Sequence, residues 1–205
     1  KASALRQQNQ DDEAIVTLGK ILDENQTEWE IAQLEIGNIL MSTSPQRFTV
    51  ATNHYKAVID KIQTKERKDE ALLNYGICLL KTNQGIDAIR VFQNLIQGSK
   101  NEQIITDSFP FLASCLEKEK HMKESIKLLE ESLKKYPQQK NQLFLHKECV
   151  RLYHLLSDFE SAIKHLNIVY KETTDPNSQA EALFQLAGYD LKSETQTLTE
   201  SGQQK

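Results

Sequence analysis

A small residue recurs every 37 positions along the chain, and this repeat most constrains how the chain can fold. The recurring residues are Ala14, Ala51, Ala88, Ser125 and Ala162. Four positions after each comes Leu, Tyr or Phe, and eight positions after each comes another apolar or aromatic residue. Such spacings place side chains on one face of an α-helix. A period of this length predicts a helical solenoid, in which each repeat buries its apolar face against the next.

The central repeat, residues 69–97, contains two amphipathic helical patterns hinged at residues 83–85. Tyr75 and Gly76 lie in the first pattern, and Ala88 and Phe92 lie in the second. Gly76 and Ala88 lack bulk, so we expect them to let two helix backbones approach closely. The following repeat ends with the pair Tyr136-Pro137.

This pattern resembles the tetratricopeptide (TPR) superfamily. It consists of an apolar residue followed by Gly in the first helix, a small residue in the second helix, an aromatic residue one turn later and a Pro where the second helix ends. The resemblance implies an all-α fold, a right-handed α-solenoid of TPR-like helix pairs, with about five pairs and a terminal capping helix. The repeat domain is expected to span residues 1–192 and to begin with a truncated helix, inside a longer parent chain. Residues 193–205 are expected to form a polar, disordered tail.

Local signals predict where some helices begin. Thr27 followed by Glu30 is typical of a capping box. The last helix, which resembles the first helix of a repeat, is expected to begin at about Gln179. Residues 42–46 predict a turn. Pro110 leaves two alternatives open, because proline is tolerated in the first turn of a helix and kinks it elsewhere.

Composition argues against several classes of function. The net charge of −4 disfavours non-specific nucleic-acid binding, which needs a basic surface. The sequence has no apolar run long enough to span a membrane. It has no HExxH motif, no zinc-type Cys/His set and no glycine-rich phosphate loop. We therefore expect no enzyme, no cofactor, no metal and no small-molecule substrate.

Two of the three cysteines occupy the same repeat position. Cys78 and Cys115 are 37 residues apart, so both are expected to be buried, reduced core residues. Free thiols mildly favour the cytoplasm, but the compartment stays open.

The TPR resemblance implies a concave groove lined by the first helices of the pairs. The candidate partner-binding residues share the face opposite the small-residue contacts: Asn38, Met41, Leu73, Ile77, Lys81, Ser114, Lys118, Lys147, Arg151, His154, Phe184 and Leu191. This set has an apolar middle and a basic end, so the expected partner is acidic at that end. The two-carboxylate clamp of chaperone-binding members is not predicted, because its basic set is incomplete.

The leading hypothesis is a non-enzymatic scaffold that binds a peptide or protein segment in this groove. One alternative is a structural subunit of a larger assembly, such as a bacterial envelope TPR lipoprotein with a periplasmic, membrane-anchored parent. Another is a regulatory domain fused to a catalytic domain outside these residues.

Overall fold

The computed structural model of the chain describes residues 10–22, 24–42 and 47–202, with side chains through Tyr189. Every regular element in these residues is helical, which confirms the all-α class. Ten α-helices follow one another: α1 (Asp11–Leu18), α2 (Gln26–Ser42), α3 (Phe48–Val58), α4 (Lys65–Lys81), α5 (Gly85–Gly98), α6 (Glu102–Lys118), α7 (Met122–Lys135), α8 (Gln142–Leu155), α9 (Phe159–Glu172) and α10 (Pro176–Gly202). The predicted truncated helix in residues 1–9 and most of the predicted turn at residues 42–46 lie outside the described residues.

The chain divides into two compact units, Lys1–His121 with α1 to α6 and Met122–Lys205 with α7 to α10. The residues of the 37-residue register lie on α1, α3, α5, α7 and α9, and each is fully buried: Ala14, Ala51, Ala88, Ser125 and Ala162. The register is therefore confirmed, and these five helices are the second helices of their repeats.

Glycine in the first helices makes room for an aromatic ring of the second helix. A Cβ placed on Gly76 would lie 2.7 Å from the ring of Phe92, and one placed on Gly37 would lie 2.3 Å from the ring of Tyr55. Both rings are fully buried. In unit 1 the aromatic of the second helix thus fills the space that the missing side chain leaves on the first.

The turns that end α4, α6 and α8 share one backbone conformation. Asn83, Lys120 and Ser157 have positive φ values of 59°, 68° and 60°. The next residue's N–H donates back to a carbonyl in the last helical turn, as in Gln84 N to Leu79 O at 2.8 Å. This is the Schellman arrangement, which ends a helix through one left-handed residue.

Glu30 has a different role from the predicted capping box. The N-terminus of α2 is instead capped by Asn25, whose Oδ1 accepts from the N–H of Glu28 at 3.3 Å. Glu30 is fully buried and accepts from the N–H of Gln63 at 2.7 Å and from Arg67 Nη1 at 3.0 Å. It therefore binds the loop that follows α3.

The structure decides between the alternatives left open for Pro110, and one predicted helix start was wrong. Helix α6 begins at Glu102, where Asn101 Oδ1 accepts from Gln103 N and Ile104 N, so Pro110 lies inside the helix rather than in its first turn. Helix α10 begins at Pro176, three residues before the predicted start, with Asp175 accepting from Ser178 N at 3.0 Å. The domain boundary at residue 192 and the disordered tail stay predictions.

The cysteine prediction is confirmed. Cys78, Cys115 and Cys149 are all free and buried. Burial raises the pKa of these thiols from 9.0 to about 12, 11 and 12, respectively, which keeps them protonated. Trp29 is 9% exposed and packs in the core of unit 1.

Candidate binding groove of unit 2

A groove of about 540 Å³ lies within unit 2 and is lined by residues of α8, α9 and α10. Its deepest lining is apolar and almost completely buried: Val150, Leu166, Val169, Ala182 and Tyr189. These residues belong to the hydrophobic core cluster of unit 2. The floor of the groove is therefore held rigidly by the same packing that holds the three helices together.

Two large apolar side chains stand exposed at the edge of the groove. Phe184 on α10 is 82% exposed and Leu155 on α8 is 54% exposed. Apolar groups exposed beside an apolar floor form a continuous surface, and contiguous surfaces of this kind mark interaction sites more often than single exposed residues do.

Charged groups of both signs line the same groove. Lys147 Nζ donates to Ser178 Oγ at 3.1 Å, and Arg151 Nη2 and Nε donate to Glu148 Oε2 at 2.8 and 3.1 Å. With Glu181 the lining holds two basic and two acidic side chains. The expectation of a basic end is therefore corrected, because Glu148 offsets Arg151 from within the groove.

His154 is anchored rather than free to reach a partner. Its Nδ1 is hydrogen-bonded to Tyr189 Oη at 3.0 Å, and its ring packs against Phe159 and Tyr189 at centroid distances of 5.8 and 5.7 Å. Burial raises the pKa of Tyr189. His154 thus ties α8 to α10 and shapes one side of the groove.

A second polar cluster lies between α7, α8 and α9. His146 Nδ1 and His165 Nδ1 are 2.8 Å apart and share a hydrogen bond, and Tyr153 Oη donates to Glu130 Oε1 at 2.6 Å. Burial, and then the neighbouring His165, lowers the pKa of His146 to about 4. Burial also lowers the pKa of His165, although Glu130 opposes this shift. Both imidazoles are therefore neutral at neutral pH.

The described part of the chain contains neither a cluster of metal ligands nor a membrane-spanning helix. No group of three or more His, Cys, Asp or Glu residues there could hold a metal ion. No helix there combines the length and apolarity needed to cross a bilayer.

The groove brings together four of the predicted partner-binding residues, namely Lys147, Arg151, His154 and Phe184. The side chain of Leu191 lies outside the described residues. The other candidates lie in unit 1: Asn38, Met41, Leu73, Ile77, Lys81, Ser114 and Lys118.

In unit 1, several of these candidates have structural partners. Asn38 Oδ1 accepts from Asn74 Nδ2 at 2.9 Å and from Tyr55 Oη at 3.3 Å. Leu73 is only 9% exposed, and Lys118 Nζ donates to the Leu80 carbonyl at 3.4 Å. Met41, Ile77 and Ser114 are half-buried, and Lys81 is exposed. Their role in binding stays a prediction.

Sequence reasoning missed several groove residues, including Glu148, Leu155, Ser178, Glu181 and Tyr189. A sequence signal was available for Ser178 and Glu181, because they and Gln185, which also lines the groove, follow one another at spacings of three and four along one side of α10. What the sequence did not indicate is that this side of α10 faces α8.

Comparison with known proteins identifies the fold. Searches against protein-family models and against curated proteins find no match to this sequence. Solved structures do match. MamA (residues 41 to the end) from Desulfovibrio magneticus RS-1 has 14% identity and a TM-score of 0.65, over 83% of this chain and 89% of that one.

Two further solved structures have the same architecture. YrrB, described as a TPR protein with an unusual peptide-binding site, has 16% identity and a TM-score of 0.63, over 88% of this chain and 87% of that one. PilF of Pseudomonas aeruginosa has 17% identity and a TM-score of 0.64, over 93% of this chain and 86% of that one. At these identities the likeness establishes the fold. The chain therefore shares the helical-repeat fold of these three solved structures.

Proposed function

We propose that this chain is a protein-interaction scaffold and that it binds a peptide or protein segment in the groove formed by α8, α9 and α10. The observation that carries the proposal is the groove itself, with a buried apolar floor, charged groups of both signs and exposed Phe184 at its edge. A partner's apolar side chain would enter the floor, and its polar groups would meet the charged lining.

The open edge of the groove favours a peptide over a small molecule. A small ligand is usually buried in a concave, mostly apolar pocket, where a few polar groups converge on it and fix its orientation. Here the polar groups pair with one another, as Arg151 does with Glu148, and the apolar surface continues past the groove to Phe184 and Leu155. A chain segment several residues long can cover such a surface.

A protein with the same fold is described as having a peptide-binding site. YrrB, which has this fold, is described as a TPR protein with an unusual peptide-binding site. Function resides in the site rather than in the fold, so this likeness supports the proposal without carrying it.

The partner should contain a carboxylate near its apolar anchor. Lys147 gives one of the three N–H donors of its ammonium to Ser178, which leaves others for a partner. Arg151 can exchange Glu148 for a partner's carboxylate only at the cost of an existing pair. Lys147 is therefore expected to contribute more to binding than Arg151.

The test uses random peptides displayed on phage, selected on the wild-type chain. Selected peptides are then titrated against Gly188→Trp, which fills the groove. Gly188 lines the groove, and a Cβ there meets nothing within 4 Å, so the variant is expected to fold. Gly98→Trp is the matched control, because a Cβ on Gly98 also meets nothing within 4 Å and Gly98 lies on α5.

The expected result is that Gly188→Trp weakens binding at least about tenfold while Gly98→Trp leaves it unchanged. Lys147→Glu with Arg151→Glu should also weaken binding, and wild-type affinity should fall as salt is added. Selection of peptides whose affinity is the same for all these variants would refute groove binding.

A further inference from the structure

Helix α10 presents an acidic and an aromatic side chain next to each other at the groove. Glu181 and Phe184 both line the groove, and their spacing of three residues places them on one side of the helix. Phe184 is 82% exposed, and among the described residues no other ring packs against it. The face of this ring is therefore open to a partner.

The carboxylate of Glu181 is oriented, but it has no basic partner in the described part of the chain. Gln185 Nε2 donates to Glu181 Oε1 at 3.2 Å, one turn further along α10. No Lys, Arg or His of the described residues forms an ion pair with Glu181. Glu181 Oε2 is therefore left to accept from a ligand, and a carboxylate accepts most strongly from a charged donor.

The two basic groups of the groove lining are already matched by acidic groups. Arg151 pairs with Glu148 at 2.8 Å. Lys147 Nζ donates to Ser178 Oγ at 3.1 Å, and Ser178 Oγ donates in turn to Asp175 Oδ2 at 2.7 Å. The groove therefore retains the negative charge of one unmatched carboxylate, which a basic group of the partner would complement.

We propose that Glu181 and Phe184 bind an arginine side chain of the partner segment, an inference that rests on the groove being the peptide site. The planar guanidinium can stack on the ring of Phe184 while it donates to Glu181 Oε2. The aliphatic stem of the arginine would lie along the apolar floor of the groove. The partner would thus carry an arginine in addition to the carboxylate expected at Lys147.

The magnitudes explain why the ring matters as much as the carboxylate. An ion pair exposed to water strengthens binding by no more than about fivefold, and a cation on an exposed aromatic ring contributes about as much. Only a group that uses both contacts binds strongly here. Lysine fits less well, because its compact, strongly hydrated ammonium does not stack on a ring as a guanidinium does.

The test selects random phage-displayed peptides in parallel on the wild type and on Glu181→Gln. Arginine should be enriched in the peptides selected on the wild type and not in those selected on Glu181→Gln. In titrations of a peptide selected on the wild type, replacing its arginine by alanine should weaken binding at least about tenfold. Replacing the arginine by lysine should have a smaller effect.

Variants of the protein assign the effect to the two side chains. Glu181→Gln and Phe184→Leu should each weaken binding of the arginine peptide by about three- to fivefold. Both variants should bind its alanine version as the wild type does. Glu131→Gln and Phe144→Leu are the matched controls, since both residues are exposed in unit 2 and lie outside the groove lining, and they should change nothing.

Two outcomes would overturn this inference while groove binding stands. One is a set of peptides that Gly188→Trp weakens but in which arginine is not enriched. The other is an arginine whose replacement by alanine costs as much affinity in Glu181→Gln and Phe184→Leu as in the wild type. Peptides indifferent to Gly188→Trp, or a selection that yields no binder, would refute the groove as the peptide site and this inference with it.

Discussion

A single methyl group should have opposite effects on stability at two glycines of unit 1. Gly76→Ala places a Cβ 2.7 Å from the buried Phe92 ring, whereas a Cβ on Gly98 meets nothing within 4 Å. Alanine is a better helix former than glycine by about 0.5–1 kcal/mol, but overpacking a core costs about 1–3 kcal/mol. We expect Gly76→Ala to lower the free energy of unfolding and Gly98→Ala to raise it.

Urea denaturation of the two variants beside the wild type measures both changes. Equal stabilisation by Gly76→Ala and Gly98→Ala would mean that the ring of Phe92 does not occupy the space beside Gly76.

The buried histidine pair should make stability depend on pH. The folded-state pKa of His146 is about 4, below the ordinary value of 6.5, so the protein favours the neutral ring. The stability gained from that preference is present above pH 6.5 and is lost as the pH falls towards 4. Between pH 7 and 5 we expect a loss of about 1–2 kcal/mol.

Unfolding free energies of the wild type, His146→Asn and His121→Asn, measured between pH 7 and 5, check this expectation. The slope with pH should flatten in His146→Asn and persist in His121→Asn, since His121 is exposed. The titration of folded-state Glu30 lies below the range from pH 7 to 5. Burial alone raises its pKa, but hydrogen bonds from Thr64, Gln26 and the Gln63 N–H lower it to about 2.

At the scale of the element, the turns between first and second helices offer a way to stabilise the chain. Lys120 and Ser157 adopt positive φ without being glycine, and the left-handed conformation costs an ordinary residue about 1–2 kcal/mol. Glycine has no Cβ and adopts the left-handed conformation without this cost. Lys120→Gly and Ser157→Gly should therefore each raise the free energy of unfolding by about 0.5–1 kcal/mol. Asn83→Gly should gain less, because asparagine tolerates this conformation.

Thermal and urea melts of the three single variants rank these effects. A larger gain for Asn83→Gly than for Lys120→Gly would show that side-chain contacts, rather than backbone strain, decide the stability of these turns.

The helices themselves were largely predictable, whereas their long-range polar contacts were not. Periodicity predicted a hinge at residues 83–85 between two helices, and α5 begins at Gly85, because each helix buries one face. Glu30 was misassigned to a local capping box, since the sequence does not indicate that it meets Gln63 and Arg67 more than thirty residues later. Pro110 left two alternatives open, and the cap at Asn101, nine residues upstream, places it inside α6 rather than in the first turn.

At the scale of the whole molecule, the repeat register predicted the fold and part of the candidate groove. Spacing along one helix grouped Lys147, Arg151 and His154 correctly, since residues three and four apart share a face. It overestimated the positive charge there, because Glu148 shares that face and pairs with Arg151. The division into two units has no counterpart in the register, which continues at 37 residues through residue 122.

That division predicts how a local change should spread through the chain. In a repeat protein stability is a sum of local terms, so strain in unit 1 should open unit 1 first. Ala88 is fully buried, and Ala88→Leu should destabilise its surroundings by about 1–3 kcal/mol. The three buried thiols report on this opening, because Cys78 and Cys115 belong to unit 1 and Cys149 belongs to unit 2.

Alkylation of the native protein, followed by mass spectrometry, measures each thiol separately. All three should react slowly in the wild type, because each is buried and its pKa is raised. Ala88→Leu should speed the labelling of Cys78 and Cys115 by about 5- to 150-fold, the factor that corresponds to about 1–3 kcal/mol, and that of Cys149 much less. The exposed Lys100→Ala should change none of these rates. Equal acceleration at all three thiols would instead mean that the two units open together.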